Sequence, residues 1–308
     1  MRNAFAEEAL RLAGEDDRYF LLSGDIGNRL FNDYKERYSD RFLNCGIAEA
    51  NMTGVAAGLA IGGFRPMSYT ITAFNTVRCL EQIRIDLCYN NLPVTVVGVG
   101  SGLSYAGLGY THHATEDIAL MRALPNMNVL CPGDAFEVKG ALRAAHAHDG
   151  PVYVRIGKKG EETVHEKIPE MKIGGALVIR GGNDVCLLAV GSMLPITCQA
   201  ADILAKNGIS AQVISFYSIK PLPYSTLENS FDNFSLVVSV EEHSRIGGAG
   251  TAIGEWLVDN DRPTRSFVPI ALPDKIFHAA GDQEYARSEL GLDPEQIAEM
   301  VLQKLGRI

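Results

Sequence analysis

The sequence predicts an α/β protein of two domains, each built on a mostly parallel sheet with helices packed against it. Short apolar runs of strand length alternate with longer helical segments, a pattern typical of parallel sheets. The chain has 308 residues, which is long for a single core. A charged, glycine-rich stretch, residues 158–183, separates two such alternating regions and predicts a linker with a lead-in strand.

Composition places the chain among ordinary globular proteins, with 46% hydrophobic and 21% charged residues. The net charge of −9 argues against a nucleic-acid-binding surface. The sequence contains no apolar run of about 18 residues, so we expect no membrane span. The six cysteines lie in apolar runs without C-x-x-C spacing, which predicts free thiols in a reducing compartment. We therefore expect a soluble, cytoplasmic protein.

In the first domain, an amphipathic N-terminal helix precedes short apolar runs rich in β-branched residues, which predict strands. The intervening segments carry small or amphipathic patterns, which predict helices. The expected strands are Tyr19–Ser23, Pro66–Ile71, Val94–Val99, Val129–Cys131 and Val152–Ile156. Residues 46–60 are expected to form a strand end followed by a helix, and residues 76–90, 115–123 and 135–147 are expected to be helices.

The second domain repeats this alternation on a smaller scale and predicts a doubly wound sheet. Its expected strands are Val185–Val190, Ser210–Phe216 and Ser235–Val240, and its expected helices are Pro195–Lys206 and Gly248–Val258.

The most informative stretch begins at Cys45 and reads CGIAEANMTGVAAGLAIGG. Glu49 lies where an apolar strand end turns into a helix made almost entirely of small and apolar residues. An acid in the first turn is favoured by the helix dipole and needs no function. One face of this helix is nearly bare backbone, however, which favours a close helix pair between subunits and a buried Glu49 with a specific partner. The small residues of that face are Ala50, Gly54, Ala57, Gly58 and Gly62.

This segment resembles the start of the pyrimidine-binding domain of thiamine-diphosphate enzymes of the transketolase family. The resemblance implies that Glu49 hydrogen-bonds a ring nitrogen of the cofactor's aminopyrimidine and so promotes deprotonation of the thiazolium carbon. It covers nearly the whole chain. Residues 1–170 would form the pyrimidine-binding domain, and residues 178–308 the smaller transketolase C-terminal domain, which binds no cofactor and supports a dimer.

The loop LLSGDIGNRL follows the first strand and contains Asp25, Ile26 and Arg29. Gly-Asp followed later by Asn51 imitates the start and end of the family's diphosphate metal motif. Ile26 replaces the second glycine of that motif, and we interpret the match as chance. The resemblance implies instead that Asp25 and Ile26 lie beside the thiazolium, with Ile26 as apolar support. Arg29 matches a position that contacts substrate phosphate; a solvated turn is its alternative reading.

The segment TAFNTVRCLEQIR contains Phe74 and Arg78. An aromatic residue at such a position is usually core packing. The resemblance implies that Phe74 stacks on the aminopyrimidine, an offset aromatic contact. It also places Arg78 at the cofactor, with a purely structural role as the alternative.

The motif YTHHATED carries two adjacent histidines, which alone make a poor zinc site. Relatives have Thr-His-Gln here, so the resemblance implies that His112 contacts the donor near its reacting carbonyl and that His113 replaces the glutamine in the substrate site. Lys158 falls where relatives bind phosphate with an arginine. Sugar-phosphate transketolases carry an aspartate and a histidine where this chain has Leu108 and Gly100, which argues against an ordinary pentose-phosphate substrate.

The family's diphosphate-binding domain is missing from this sequence. We therefore predict the C-terminal subunit of a split transketolase, whose N-terminal partner subunit holds the diphosphate and Mg²⁺ (or Ca²⁺). Two copies of each chain would form a heterotetramer that transfers a two-carbon ketol unit from a ketose donor to an aldehyde-type acceptor. This chain itself is expected to hold no metal.

Two alternatives remain open from the sequence. One is the beta subunit of a 2-oxoacid dehydrogenase decarboxylase component, in which a lipoyl domain accepts the fragment. The other is a non-catalytic scaffold. The joint presence of Glu49, Phe74 and His112 argues against the scaffold, because a scaffold has no need of that combination.

Overall fold

Two sheets organise the protein, and the computed structural model describes residues 1–27, 29–158 and 160–307. The first sheet has seven strands in the order β10-β5-β6-β4-β3-β1-β2, and the second has five in the order β12-β11-β8-β9-β7. The strands are β1 Tyr19–Ser23, β2 Phe42–Asn44, β3 Arg65–Ile71, β4 Thr95–Val99, β5 Asn128–Leu130, β6 Val152–Ile156, β7 Leu177–Arg180, β8 Val185–Ala189, β9 Ala211–Ser215, β10 Ser218–Lys220, β11 Val237–Ser244 and β12 Phe267–Leu272.

Helices connect the parallel strands, as the alternating pattern predicts. They are α1 Arg2–Glu15, α2 Asn32–Arg37, α3 Glu49–Ile61, α4 Thr72–Asn75, α5 Leu80–Gln82, α6 Asp117–Ala123, α7 Ala135–His146, α8 Leu194–Lys206, α9 Tyr224–Asn233, α10 Ala249–Asp259, α11 Gln283–Glu289 and α12 Pro294–Lys304. The two-sheet α/β architecture predicted from the sequence is confirmed.

One connection of the first domain differs from the sequence pattern. The pattern predicts a continuous helix over Thr76–Asn90, but α4 ends at Asn75 and helix resumes only at Leu80, continuing as a π-helix over Ile83–Tyr89. The amide and the hydroxyl of Thr76 both donate to the carbonyl of Thr72 (3.0 and 2.7 Å), but Thr76 has φ −115°, far from the helical value of about −63°. The interruption leaves residues 76–79 in a turn between the two helical pieces.

Strand β10 links the two domains, which the sequence did not predict. It follows β9 of the second sheet after two residues, yet it pairs antiparallel with β5 at the edge of the first sheet. The buried core reflects the same connection, because one apolar cluster contains residues of both domains, including Met127 and Val129 with Phe216 and Trp256. The domains are therefore packed together through a shared apolar core.

The linker is held to the first domain by one buried carboxylate. Asp134 caps α7 by accepting from the amides of Phe136 (2.9 Å) and Glu137 (2.8 Å). Its other oxygen accepts from the amides of Val164 (2.9 Å) and His165 (2.8 Å). Burial alone would raise the pKa of Asp134, but hydrogen bonds from His165 and from backbone amides outweigh burial and lower it to about 2.

We predict that Asp134→Ala lowers the free energy of unfolding by about 3 kcal/mol, because it removes a helix cap and leaves linker amides without an acceptor. Asp134→Asn keeps the shape but loses the charge. Since the folded-state pKa is depressed, the wild-type advantage over Asp134→Asn is present above about pH 4 and shrinks as pH falls toward 2.

Urea unfolding of the wild type, Asp134→Ala and Asp134→Asn at neutral pH and near pH 3 measures these differences in the free energy of unfolding. Asp293 caps α12 through one backbone bond, from the Gln296 amide (2.8 Å), and provides a control whose alanine variant costs about 1 kcal/mol. An Asp134→Ala cost no larger than that of the control would contradict the linker role.

Candidate active site

The predicted site residues follow parallel strands of the first sheet. Strands β1, β2, β3, β4 and β6 run in one direction, so their carboxyl ends meet at the same edge. Asp25 follows β1, Glu49 follows β2, Phe74 follows β3, and Lys158 follows β6. The loop between β4 and α6, residues 100–116, adds His112 to this edge. The fold thus gathers residues that are far apart in sequence.

Glu49 lies at the first position of α3 and is only 3% exposed within this single chain. Its Oε2 accepts a hydrogen bond from Nη1 of Arg78 at 2.7 Å. A Cβ at Gly24 would lie 2.8 Å from the Thr70 hydroxyl and 3.8 Å from Oε1 of Glu49. Gly24 therefore lets the loop after β1 approach the carboxylate closely.

Arg78 joins Glu49 to an aromatic pair. Its guanidinium carbon lies 4.5 Å from the centroid of the Phe74 ring, a cation–π contact. The Phe74 and His112 rings meet edge to face, with centroids 5.2 Å apart and an interplanar angle of 64°. Glu49, Arg78, Phe74 and His112 thus form one connected cluster.

The burial of this cluster is asymmetric. The Glu49 side chain is 4% exposed, whereas that of Arg78 is 49% exposed. The planar guanidinium of Arg78 thus lies against the Phe74 ring and donates to the buried carboxylate of Glu49. The same two surfaces suit any flat nitrogen heterocycle that stacks on Phe74 and shares a proton with Glu49.

The loop after β4 contains a residue that the sequence reasoning missed. Gly100 has φ +87°, and a Cβ there would lie 2.1 Å from Cε2 of Tyr105. The Tyr105 ring therefore fills the space that a side chain at position 100 would occupy. The ring centroid lies 6.3 Å from that of His112 and 5.2 Å from Nζ of Lys158. The signal was present in the sequence as a bulky residue in an otherwise small, glycine-rich stretch, VGVGSGLSYAG.

The remaining predicted residues lie elsewhere around this edge. His113 is buried, with Nε2 3.2 Å from the Ala106 carbonyl and its ring near Phe277 of the second domain (6.4 Å), so it packs between domains. Asp25 is exposed and accepts from the Asn44 amide at 3.5 Å. Ile26 packs against the first-domain core.

Arg29 lies at a separate surface. It is exposed and lines a cavity of about 560 Å³ against helix α1 together with Arg2 and Asp33. The structure does not place Arg29 in contact with the Glu49 cluster, so any contact with substrate would need a ligand that reaches that cavity.

A buried arginine anchors the loop that carries His112. Arg155 and Asp117 are each 1% exposed and joined at 2.7 Å. The same guanidinium donates to the carbonyls of Ala114 (2.9 Å) and Glu242 (3.0 Å), the latter on β11 of the second domain. The Glu242 carboxylate accepts from the Leu103 amide (2.5 Å). The second domain therefore helps to set the loop's position.

Within the described residues, no group of three or more His, Cys, Asp or Glu side chains is arranged to hold a metal ion. Across the same part of the chain, no helix is long and apolar enough to span a membrane.

Comparisons with known proteins agree with this architecture. The family described as transketolase, pyrimidine binding domain, matches residues 1–160, and the family described as transketolase, C-terminal domain, matches residues 174–297. The chain is 33% identical over 305 residues to one of the subunits of the apulose-4-phosphate transketolase of Phocaeicola vulgatus, covering 98% of this chain and 96% of that protein.

Two further relatives are similar over their whole length. The putative transketolase C-terminal section of Methanocaldococcus jannaschii is 33% identical over 308 residues, covering 99% of this chain and 96% of that protein. A solved structure described as a split gene transketolase, inactive beta4 tetramer, superposes with a TM-score of 0.91 at 33% identity, covering 99% of this chain and 98% of that one. The fold, the two matched domains and these relatives together show that the chain belongs to the transketolase family, as the C-terminal subunit type of a split transketolase.

Proposed function

We propose that this chain supplies the pyrimidine-binding half of a thiamine-diphosphate site and, with an N-terminal partner subunit, transfers a two-carbon ketol unit from a ketose donor to an aldehyde-type acceptor. The observation that carries the proposal is the cluster at the carboxyl edge of the sheet, in which the buried Glu49 lies with the half-buried Phe74 and His112. The name of the Phocaeicola relative supports a phosphorylated ketose as the donor class.

The residues at this edge fit an aminopyrimidine ring. Glu49 offers a carboxylate in a nearly dry position, and Phe74 offers an aromatic face next to it. In this chain the guanidinium of Arg78 already donates to Glu49 and lies over the Phe74 ring. These two groups therefore suit a flat hydrogen-bond donor of about the size of a guanidinium. When bound, thiamine diphosphate supplies a stabilised carbanion for the transferred fragment.

Each side chain then has a distinct task. Glu49 holds a proton at the ring nitrogen it faces, and its burial keeps that exchange away from water. Phe74 orients the ring by stacking. His112 donates a hydrogen bond to the donor's carbonyl oxygen or accepts a proton from its hydroxyl. Asp25 and Ile26 support the cofactor from the loop after β1, and Lys158 binds the anionic end of the donor.

The diphosphate and its Mg²⁺ or Ca²⁺ are assigned to the partner subunit. Two copies of each chain would build a heterotetramer around two such sites. The relative described as an inactive beta4 tetramer supports self-association of this type of subunit and the need for a partner.

The first test is calorimetric titration of thiamine diphosphate with Mg²⁺ into this chain, into its N-terminal partner and into their mixture. We expect saturable binding in the mixture only, since neither chain holds both ends of the cofactor. Glu49→Gln in the mixture should retain binding but lower turnover of a ketose donor by about a hundredfold or more. Glu81→Gln, which changes an exposed acid of α5 in the same way, is the control. Turnover by this chain alone would contradict the split site.

A second test uses the unequal burial of Glu49 and Arg78 in their ion pair. Arg78→Met strands a buried carboxylate and should lower the free energy of unfolding by about 2 kcal/mol. Glu49→Gln leaves an arginine that water already solvates, so its cost should stay below about 1 kcal/mol. Chemical denaturation of the isolated chain gives both values, with Arg84→Met as the exposed-arginine control. Equal costs for the two variants would show that Arg78 does not neutralise Glu49 in solution.

A further inference from the structure

Tyr105 stands at the centre of three observations that the proposed function leaves unused. Its ring occupies the position where a side chain at residue 100 would project, because a Cβ there would come within 2.1 Å and 2.4 Å of two ring carbons. Gly100 has φ +87°, a conformation that favours glycine. The ring and the glycine are thus mutually dependent, and neither is explained by core packing alone, since Tyr105 is only half-buried.

Tyr105 also contacts residues that the proposed function assigns to the two ends of the donor. Its ring centroid is 6.3 Å from that of His112, which faces the reacting end of the donor in the proposed function. Nζ of Lys158 lies over the same ring, 5.2 Å from its centroid. The described residues show no ion pair to Lys158, so the aromatic ring is the contact that restrains its ammonium group.

The electrostatic surroundings of the ring favour this arrangement. Burial raises the pKa of the Tyr105 hydroxyl, while the neighbouring Arg2 guanidinium opposes that rise. The hydroxyl therefore stays neutral at physiological pH, and the ring face keeps the electron-rich character that attracts an ammonium. Two cations, Arg2 and Lys158, thus flank one aromatic side chain.

Resting on the proposed function, we propose that Tyr105 is a positioning residue that sets substrate specificity: it holds Lys158 at a fixed distance from His112, so that the site selects an open-chain ketose donor with an anionic terminal group. At position 100 this chain has glycine, and the Tyr105 ring fills the space that a side chain there would occupy. Selection of the donor then depends on the distance between its reacting carbonyl and its anionic group. The flexible side chain of Lys158 could not define that distance without the contact to Tyr105.

The test compares two donors in the complex with the N-terminal subunit, at saturating thiamine diphosphate and Mg²⁺ and with D-glyceraldehyde as a neutral acceptor. One donor is apulose 4-phosphate, the ketose phosphate in the name of the Phocaeicola relative, which carries an anionic end, and the other is hydroxypyruvate, which has no phosphate. Tyr105→Leu should raise KM for the phosphorylated donor by about fivefold, with kcat and the hydroxypyruvate kinetics changed by less than about twofold.

Two further variants separate positioning from structural damage. Tyr105→Phe keeps the ring and should restore the wild-type KM, because the cation–π contact does not need the hydroxyl. Lys158→Met should raise KM for the phosphorylated donor, and adding Tyr105→Leu to it should raise KM no further, since Tyr105 acts through Lys158. Tyr110→Leu, an exposed tyrosine of the same loop whose hydroxyl donates to Glu116 (2.6 Å), is the control.

The outcomes distinguish this inference from the function on which it rests. A wild-type complex that uses neither donor overturns the proposed function and this inference with it. Use of hydroxypyruvate but not of the phosphorylated donor leaves ketol transfer standing and overturns the anionic-end specificity. Equal losses with both donors in Tyr105→Leu, or additive effects of Tyr105→Leu and Lys158→Met, overturn the positioning role alone.

Discussion

The buried guanidinium of Arg155 is the constraint on which the geometry of the site depends. A fully buried arginine is costly unless every donor is matched to an acceptor. Here Asp117 of α6 accepts from Nε, and the carbonyls of Ala114 and Glu242 accept from Nη2. They come from a helix of the first domain, the loop after β4 and the second domain. Because Nη2 of Arg155 donates to this loop and to the second domain at once, a large movement of the loop bearing His112 would leave a buried guanidinium donor without an acceptor.

This anchoring explains how a glycine-rich loop can hold the candidate site residues in place. Residues 100–109 include several glycines and little regular structure, so their own conformational entropy would favour many arrangements. Contacts from the second domain oppose that freedom, as the Glu242 carboxylate accepts from the Leu103 amide and Gln283 donates to the same carboxylate (2.9 Å). In the described residues, the C-terminal domain therefore acts on the candidate site through this loop.

Much of this arrangement follows from sequence pattern. The alternation of apolar runs and helices predicted both sheets, and the isolated acid in a small-residue helix identified Glu49, which the structure shows buried. Parallel topology then explains why Phe74 and His112 lie near it, since loops after neighbouring strands share one edge. The placement of Arg29 against α1 and of His113 between domains did not follow, because local motifs contain no information on which face of a loop is covered.

The missed features share a physical cause. Strand β10, the anchoring role of Arg155 and the position of Tyr105 all depend on contacts between residues distant in sequence or on the packing of a whole loop, as in the Arg155–Glu242 bond across 87 positions. The break over residues 76–79, which include Arg78, was missed for a different reason, because it begins with a departure of the Thr76 backbone from helical dihedral angles. Periodicity detects neither long-range pairing nor such a local departure.

The exposed surface around Glu49 favours a site shared with a second chain. Ile47 is 82% exposed and Val77 is 56% exposed, and these two residues lie next to Glu49 and Arg78 in the sequence. On α3 the exposed positions include Gly54 and Gly58, which leave backbone within reach of another helix. Apolar side chains next to a buried carboxylate lower the cost of excluding water once a second surface covers them. The proposed partner would thus cover this apolar rim and complete the dry environment that the proposed role of Glu49 requires.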